Sequence, residues 1–375
     1  MPNILYVIPN LNVGGTEFQL GLLARALVGT DYVPHILCLG EEGTLADSLR
    51  KAGVEIEAAG IENPQSCRVK QKVKWFCKDW NIDLVHTLLP GTDLPAVRGA
   101  AKAGVRAIIT SRREIPDWKK GSHLRAQRMA NKLTQRVICN SHAVEDFIRS
   151  QEGLSKEKTR VIHNGFPEET IPSHPAIAVS DRKREALRSL MIHEDEFVLT
   201  CIANFNPVKN HRKMLEGLRK VLLKGLRVRM VLVGEGPLLE ETRQFAEEHT
   251  LGIATEFLGS RLDRLKILAE SDAVILASLN EGFPNAVLEA QAIGVPVIAS
   301  RVGGIPELID HGNTGWLFDP RDANSIAGAI WTVLQNENDA LRVARLAQDI
   351  VRKKFTVRNM VANYRQQYDE LLVSS

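Results

Sequence analysis

Short, β-rich apolar runs punctuate the first part of the chain at 4–8, 35–39, 54–58, 84–87, 106–110 and 137–139. Each gives way to a polar turn and usually to an amphipathic stretch. Strand and helix in alternation predict right-handed βαβ crossovers and a parallel sheet. The rhythm stops over 166–181, where Pro167, Pro172 and Pro175 lie among Ser, His and Glu with neither period, as in a linker. It restarts with apolar runs at 197–203, 228–233, 256–258, 273–276 and 295–299. Two doubly wound α/β domains are therefore expected, over 1–170 and 180–355. In the last stretch, Met360, Tyr364, Tyr368 and Leu372 recur every four residues on one helical face. A helix over 356–375 that packs back on the first domain is expected to cover that stripe.

A length of 375 residues suits two domains, and 44% hydrophobic, 25% charged and 5% aromatic residues describe an ordinary globular α/β protein. The run at 4–8 stops at Pro9-Asn10 without a basic leader or a cleavage site, so it reads as a strand and not a secretory signal. No stretch approaches the roughly 18 to 20 apolar residues needed to span a bilayer. The five cysteines are odd in number and widely spaced. A reduced, cytoplasmic protein without structural zinc is the expectation.

The net charge of +3 is too small to argue for nucleic acid, but residues 1–170 hold 23 basic and 19 acidic side chains and 171–375 hold 25 and 26. Between Arg112 and Arg136, eight cations face only Glu114 and Asp117. Such a stretch is either a solvated helix face or a contact for anionic lipid or phosphate, which would place the protein peripherally at the inner face of the membrane.

The chemistry concentrates in Asn280-Glu281-Gly282-Phe283-Pro284-Asn285-Ala286-Val287-Leu288-Glu289, between a strand and an Ala-rich helix. Open α/β sheets bind ligands at the carboxyl ends of their strands. Gly282 and Pro284 shape a loop that can aim N–H groups at one point, and the following helix adds its positive dipole end, a setting for a diphosphate. Glu281 and Glu289 are expected to face one cleft at different depths and to accept hydrogen bonds from hydroxyls.

This stretch, with 294–299, 303–307 and 312–315 beyond it, resembles the E-x7-E region of the retaining family 4 glycosyltransferases, which have the GT-B fold of two Rossmann-like domains facing across a cleft. The resemblance implies that Glu281 contacts the donor sugar and Glu289 the ribose, with Gly282, Phe283, Pro284 and Asn285 lining the donor site. After the strand at 197–203, Lys209 matches a lysine that clamps the diphosphate. Asn204 stands where arginine is common, so another cation such as Arg301 is expected to help. In the first domain, Gly14-Gly15 resembles the family's Gly-Gly-x-Glu phosphate loop. His86 is a candidate sugar contact, although the histidine often found two positions on is Leu88. Arg112 and Arg113 are candidates for an acceptor's phosphate or carboxylate.

The function implied is metal-independent transfer of a hexose from a nucleotide-diphosphate sugar to a glycan or lipid-linked acceptor, with no cofactor. No D-x-D follows a strand and no metal-ligand spacing occurs. Two other readings stay open on the same scaffold: a sugar-nucleotide 2-epimerase, and a non-catalytic binder marked by Asn204 and Leu88.

Overall fold

The computed structural model describes residues 1–12, 14–115, 121–176, 185–190, 192–193 and 196–373. The chain forms two compact units, Met1–Gly165 with Val357–Ser375, and Phe166–Thr356.

The first unit is built on seven parallel strands in the order β3-β2-β1-β4-β5-β6-β7. They are β1 (Asn3–Ile8), β2 (Val33–Cys38), β3 (Glu55–Ala58), β4 (Leu84–Thr87), β5 (Ala107–Arg112), β6 (Arg136–Cys139) and β7 (Thr159–Val161). Alternation along β1 shows why both faces need covering. Ile4, Tyr6 and Ile8 pack with Leu20, Leu23 and Leu27 of α1 (Gly15–Leu27) and with α14 (Val357–Val373). Leu5 and Val7 pack instead with Val69, Val73 and Phe76 of α3 (Cys67–Asp79) and with Val97 and Ala100 of α4 (Asp93–Ala103).

The second unit holds six parallel strands, β10-β9-β8-β11-β12-β13. Their ranges are β8 (Phe197–Ile202), β9 (Val228–Val233), β10 (Thr255–Phe257), β11 (Ala273–Leu276), β12 (Val297–Ser300) and β13 (Trp316–Phe318). The edge strands β7 and β13 escape the sequence pattern: Thr159-Arg160-Val161 holds no apolar run, and Trp316-Leu317-Phe318 lies isolated between Gly315 and Asp319-Pro320. Val13, 116–120 (with Lys119 and Lys120 of the basic stretch) and 177–184, which include 177–181 of the expected linker, lie outside the described residues.

The aromatic stripe of α14 enters the first unit's core through polar atoms as well as rings. Tyr368 Oη lies 3.0 Å from Tyr6 Oη and 3.2 Å from His86 Nδ1, while His86 Nε2 lies 2.8 Å from Ser111 Oγ. His86 is thus fully buried with both ring nitrogens engaged inside the core, which removes it as a sugar contact in this structure. Burial, and secondarily the charge of Arg113, push its pKa down to about 3.

Arg112 departs further from expectation. It is 1% exposed, donating to Asp93 at 2.7 Å, Glu152 at 3.0 Å, Gln127 at 2.6 Å and Asn131 at 3.2 Å. A guanidinium surrounded by two carboxylates and two amide oxygens is satisfied within the fold, so it is neither an acceptor contact nor part of a surface stripe. Arg136 is also drawn inward, onto Gln367 of α14 at 2.6 Å. Only Arg125, Arg128 and Lys132 of the described cations beyond Arg113 remain exposed in that stretch.

Two measurements check these interior networks. Arg112→Ala leaves Asp93 and Glu152 buried without their cation and should cost about 3–5 kcal/mol in denaturant unfolding; a loss under about 1 kcal/mol would place Arg112 at the surface. His86 stabilises the fold fully above its unfolded pKa of about 6.5. On acidification the unfolded chain takes up a proton that the folded one refuses, so stability falls toward pH 3 by about 1.4 kcal/mol per pH unit. His86→Gln should flatten that dependence by about one proton; identical slopes would contradict a buried neutral imidazole.

Candidate active site

In the second unit the strand order reverses between β8 and β11: the chain proceeds from β8 outward to β9 and from β11 to β12 on the opposite side. Loops leaving a parallel sheet at such a switch point diverge and open a crevice. The β8 loop is shaped locally. Asn206 accepts the Lys209 N–H at 3.2 Å, Pro207 starts a 3-10 turn over Pro207–Lys209, and Asn210, at φ 56°, turns the chain into α7 (His211–Leu222). The Asn210 amide then donates to Ala277 O at 3.2 Å and Pro320 O at 2.8 Å, and the Leu279 N–H donates to Val208 O at 2.7 Å. The bonds to Ala277 and from Leu279 stitch the β8 loop to the β11 loop, and the bond to Pro320 adds the turn after β13.

Across that seam, Lys209 Nζ donates to Glu281 Oε1 at 2.5 Å, and Ser278 Oγ donates to the same oxygen at 2.6 Å. The backbone of Glu281 is held from the other side. The Gly304 N–H donates to its carbonyl at 3.1 Å, and Gly303 sits at φ 50° so close that a Cβ there would lie 1.9 Å from that oxygen. Glycine is required twice over, by the left-handed backbone and by the space.

The loop ends at Pro284, in extended conformation, and α10 (Asn285–Ile293) begins directly after it. Glu289 is therefore about one turn into the helix. It is 3% exposed, and Arg264, which opens α9 (Arg264–Ala269), grips it with Nε to Oε2 and Nη2 to Oε1, both at 3.0 Å. Burial opposes the Arg264 charge, but the hydrogen bond and charge of Glu289 outweigh it and raise the guanidinium's pKa. The expected pair of carboxylates thus stands as two carboxylates, each holding a cation.

Among the other expected donor residues, Asn204 is exposed, and Gly282, Phe283 and Pro284 are buried. Phe283 packs edge-on against Phe355 at 5.4 Å and anchors the loop in the core. Asn285 is half-buried in the first turn of α10, whose N–H groups point out of the helix start. Arg301 is exposed, two residues before Gly303. Gly14 and Gly15 belong to the first unit: Gly14 precedes α1 in extended conformation and Gly15 begins it. The Glu17 carboxylate folds back over the loop, where a Cβ on Gly14 would be 2.2 Å from Oε2. Burial raises the Glu17 pKa, and the charge of Arg113 opposes the rise. Arg113, half-buried just beyond β5, donates to Asn164 Oδ1 at 2.5 Å. Sequence reasoning missed Arg264 and Ser278, whose only signals are a cation at a helix start and a serine three residues before Glu281.

Residues 182–349 match the profile described as Glycosyl transferases group 1, and residues 13–170 match Glycosyltransferase Family 4. Crystal structures show the same fold along the whole chain. HepE of Anabaena, in complex with UDP and glucose, superposes with a TM-score of 0.86 at 22% identity, covering 98% of this chain and 100% of that one. The two profile matches, with the two Rossmann-like units, make the chain a glycosyltransferase of the GT-B fold. The chain belongs to glycosyltransferase family 4.

Curated relatives include the N-acetyl-alpha-D-glucosaminyl L-malate synthase of Bacillus anthracis, 33% identical over 48% of this chain and 47% of that enzyme, so this match spans about half the relative's length. A second is the UDP-Gal:alpha-D-GlcNAc-diphosphoundecaprenol alpha-1,3-galactosyltransferase of Escherichia coli, 28% identical over 68% of this chain and 67% of that one.

Gly303→Ala should cost about 2 kcal/mol or more in stability, since the clash is with backbone. Gly312→Ala, also at positive φ (79°) but with open space where its Cβ would stand, should cost only the left-handed strain, about 1 kcal/mol. Equal losses in urea unfolding would contradict the close approach to Glu281.

Proposed function

We propose that the chain transfers a hexose from a nucleotide-diphosphate sugar to a hydroxyl acceptor with retention of anomeric configuration, in the assembly of cell-surface polysaccharide or lipid-linked glycan at the cytoplasmic side of the membrane. The observation that carries this reading is the Lys209–Glu281 pair at the β8/β11 switch point, beside the N-terminus of α10. An ammonium and helix-start N–H groups suit a diphosphate, and a carboxylate suits sugar hydroxyls. Support comes from HepE, crystallised with UDP and glucose, and from the Escherichia coli relative, named for galactosyl transfer to a diphosphoundecaprenol-linked sugar.

On donor binding Lys209 exchanges Glu281 for a phosphate oxygen, and Glu281 turns to the hexose hydroxyls. Glu289, already oriented by Arg264, accepts from the ribose hydroxyls. The anomeric C–O bond breaks toward an oxocarbenium-like sugar, and the negative charge that grows on the leaving diphosphate is met by Lys209, Arg301 and the first-turn N–H groups of α10. Cations of the protein thereby do the neutralising without a metal ion. The acceptor oxygen attacks the anomeric carbon from the face the diphosphate leaves, and its proton passes to a phosphate oxygen. Products are the glycoside and the nucleoside diphosphate. In the first unit, Gly14 and Gly15 remain candidates for a phosphate and Arg113 for an anionic acceptor group.

Nucleotide release that requires an acceptor separates transfer from isomerisation or simple binding. The two glutamates separate further. Glu289→Gln should weaken the nucleoside diphosphate itself by about 1.5–3 kcal/mol and raise the donor KM, since the ribose contact is made in ground and transition states alike. Glu281→Gln should depress kcat with nucleotide affinity nearly unchanged. Normal turnover by Glu281→Gln would overturn the assignment of the sugar to this loop.

A further inference from the structure

In the second unit's helix layer, α7 packs beside α8 (Leu239–Glu248). It buries Met214, Leu215, Leu218 and Val221. At about 100° per residue, Arg212, Glu216, Arg219 and the C-cap Leu223 form a second stripe on the solvent side, with Lys220 beside it. Phe245 and His249, at the end of α8, stand against that stripe. A surface cavity of about 350 Å³ lies between these residues, the size of a small-molecule pocket.

The lining suits an anion. The Arg212 guanidinium lies 4.9 Å from the centre of the Phe245 ring, and the His249 ring stacks on Phe245 at 4.0 Å, its Nδ1 donating to Phe245 O at 2.9 Å. Stacking holds a guanidinium in place while leaving its N–H groups for an acceptor. Glu216, the one acid of the lining, is already taken by Lys213 and lies 3.9 Å from Arg212. Arg219 and Lys220 are exposed, and neither pairs with a carboxylate among the described residues. Three cations less one carboxylate leave two positive charges around one concavity, where the field is focused. Exposed cations are ordinarily satisfied by water, but this cavity also has an apolar side: Phe245 forms part of its wall, and Leu223 is 72% exposed at its edge. A few convergent charges beside an apolar wall are the two elements of a ligand pocket. A phosphate monoester matches both, since its dianionic head serves several cations at once, a forked guanidinium included, and its body is uncharged.

We infer that the groove between α7 and α8 is a second anion site of this unit, one that takes a small phosphate ester. Arg219 and Lys220 hold the phosphate, Arg212, fixed on Phe245, completes the charge, and Leu223 covers the ester's uncharged body. The groove shares no residue with the Lys209–Glu281 and Arg264–Glu289 pairs, so the site is additional to the one for the donor. A ligand there ties α7, which starts at the Lys209 loop, to α8.

The test is calorimetric titration of the full chain with phenyl phosphate and with glycerol phosphate, against inorganic sulfate. Saturable binding of an ester, one per chain, is expected in Lys209→Ala, which lacks the donor-site lysine, so that binding retained there is not binding at the donor site. Arg219→Ala/Lys220→Ala in that background should bind the ester about tenfold more weakly or less, because each loses a charge-assisted hydrogen bond. Leu223→Ala should weaken the esters more than inorganic phosphate, and Arg345→Ala, which removes an exposed cation of α13 (Glu337–Lys354), should bind as its background does. Unchanged melting temperatures without ligand confirm that the variants are folded. No saturable binding of either ester, binding lost in Lys209→Ala, equal binding with and without Arg219 and Lys220, or sulfate bound as tightly as the esters would each overturn the inference.

Discussion

The second unit's site depends on one contact, the Lys209 ammonium on the Glu281 carboxylate. It forms because a parallel sheet whose order reverses between β8 and β11 sends two loops apart from neighbouring strand ends, and the Asn210 amide and the Leu279 N–H tie those loops together. With the Glu281 carbonyl pressed against Gly303 and bonded to Gly304, the β12 loop joins the same cluster. Loops after three strands thus hold Glu281, two through its carboxylate and the third through its backbone carbonyl, just ahead of α10. At 11% side-chain exposure for Glu281 and 22% for Lys209, the pair is too shielded to count as an ordinary surface bridge and open enough to exchange partners.

The Arg264–Glu289 pair plays a different part. Its two parallel hydrogen bonds fix both carboxylate oxygens, which is the geometry guanidinium offers and ammonium does not. A carboxylate oriented before ligand arrives loses less entropy on binding. In the first unit, buried charge serves the fold instead. The Arg112 cluster joins β5, α4, α5 (Gly121–Leu133) and α6 (His142–Glu152), and the His86–Tyr368–Tyr6 chain ties the last helix to β1 and β4.

The sheets were legible in the sequence because buried parallel strands are continuous apolar runs, and the loops after β8 and β11 because Asn, Pro and Gly mark them. Two kinds of feature were not. The edge strands β7 and β13 are one: Thr159-Arg160-Val161 forms no apolar run, and Trp316-Leu317-Phe318 is isolated between turn residues. Partners distant in the chain leave no local trace: nothing near Glu289 announces Arg264, and nothing near Arg112 announces Asp93 and Glu152. Arg112 and Arg136 misled for the same reason, since a cation-rich stretch reads as surface whether or not carboxylates or amides from elsewhere fold over it. The His86 reading failed on burial, which a single histidine at a strand end does not reveal.

The account's central claim is that the nucleotide diphosphate binds at the β8/β11 switch point. Hydrogen–deuterium exchange with UDP, GDP and ADP in turn tests it most directly. One of them should slow exchange together in 203–210, 281–290 and 301–305, with the outer helices of the same unit unchanged. Protection confined to other segments, or none with any of the three at saturating concentration, would contradict the claim.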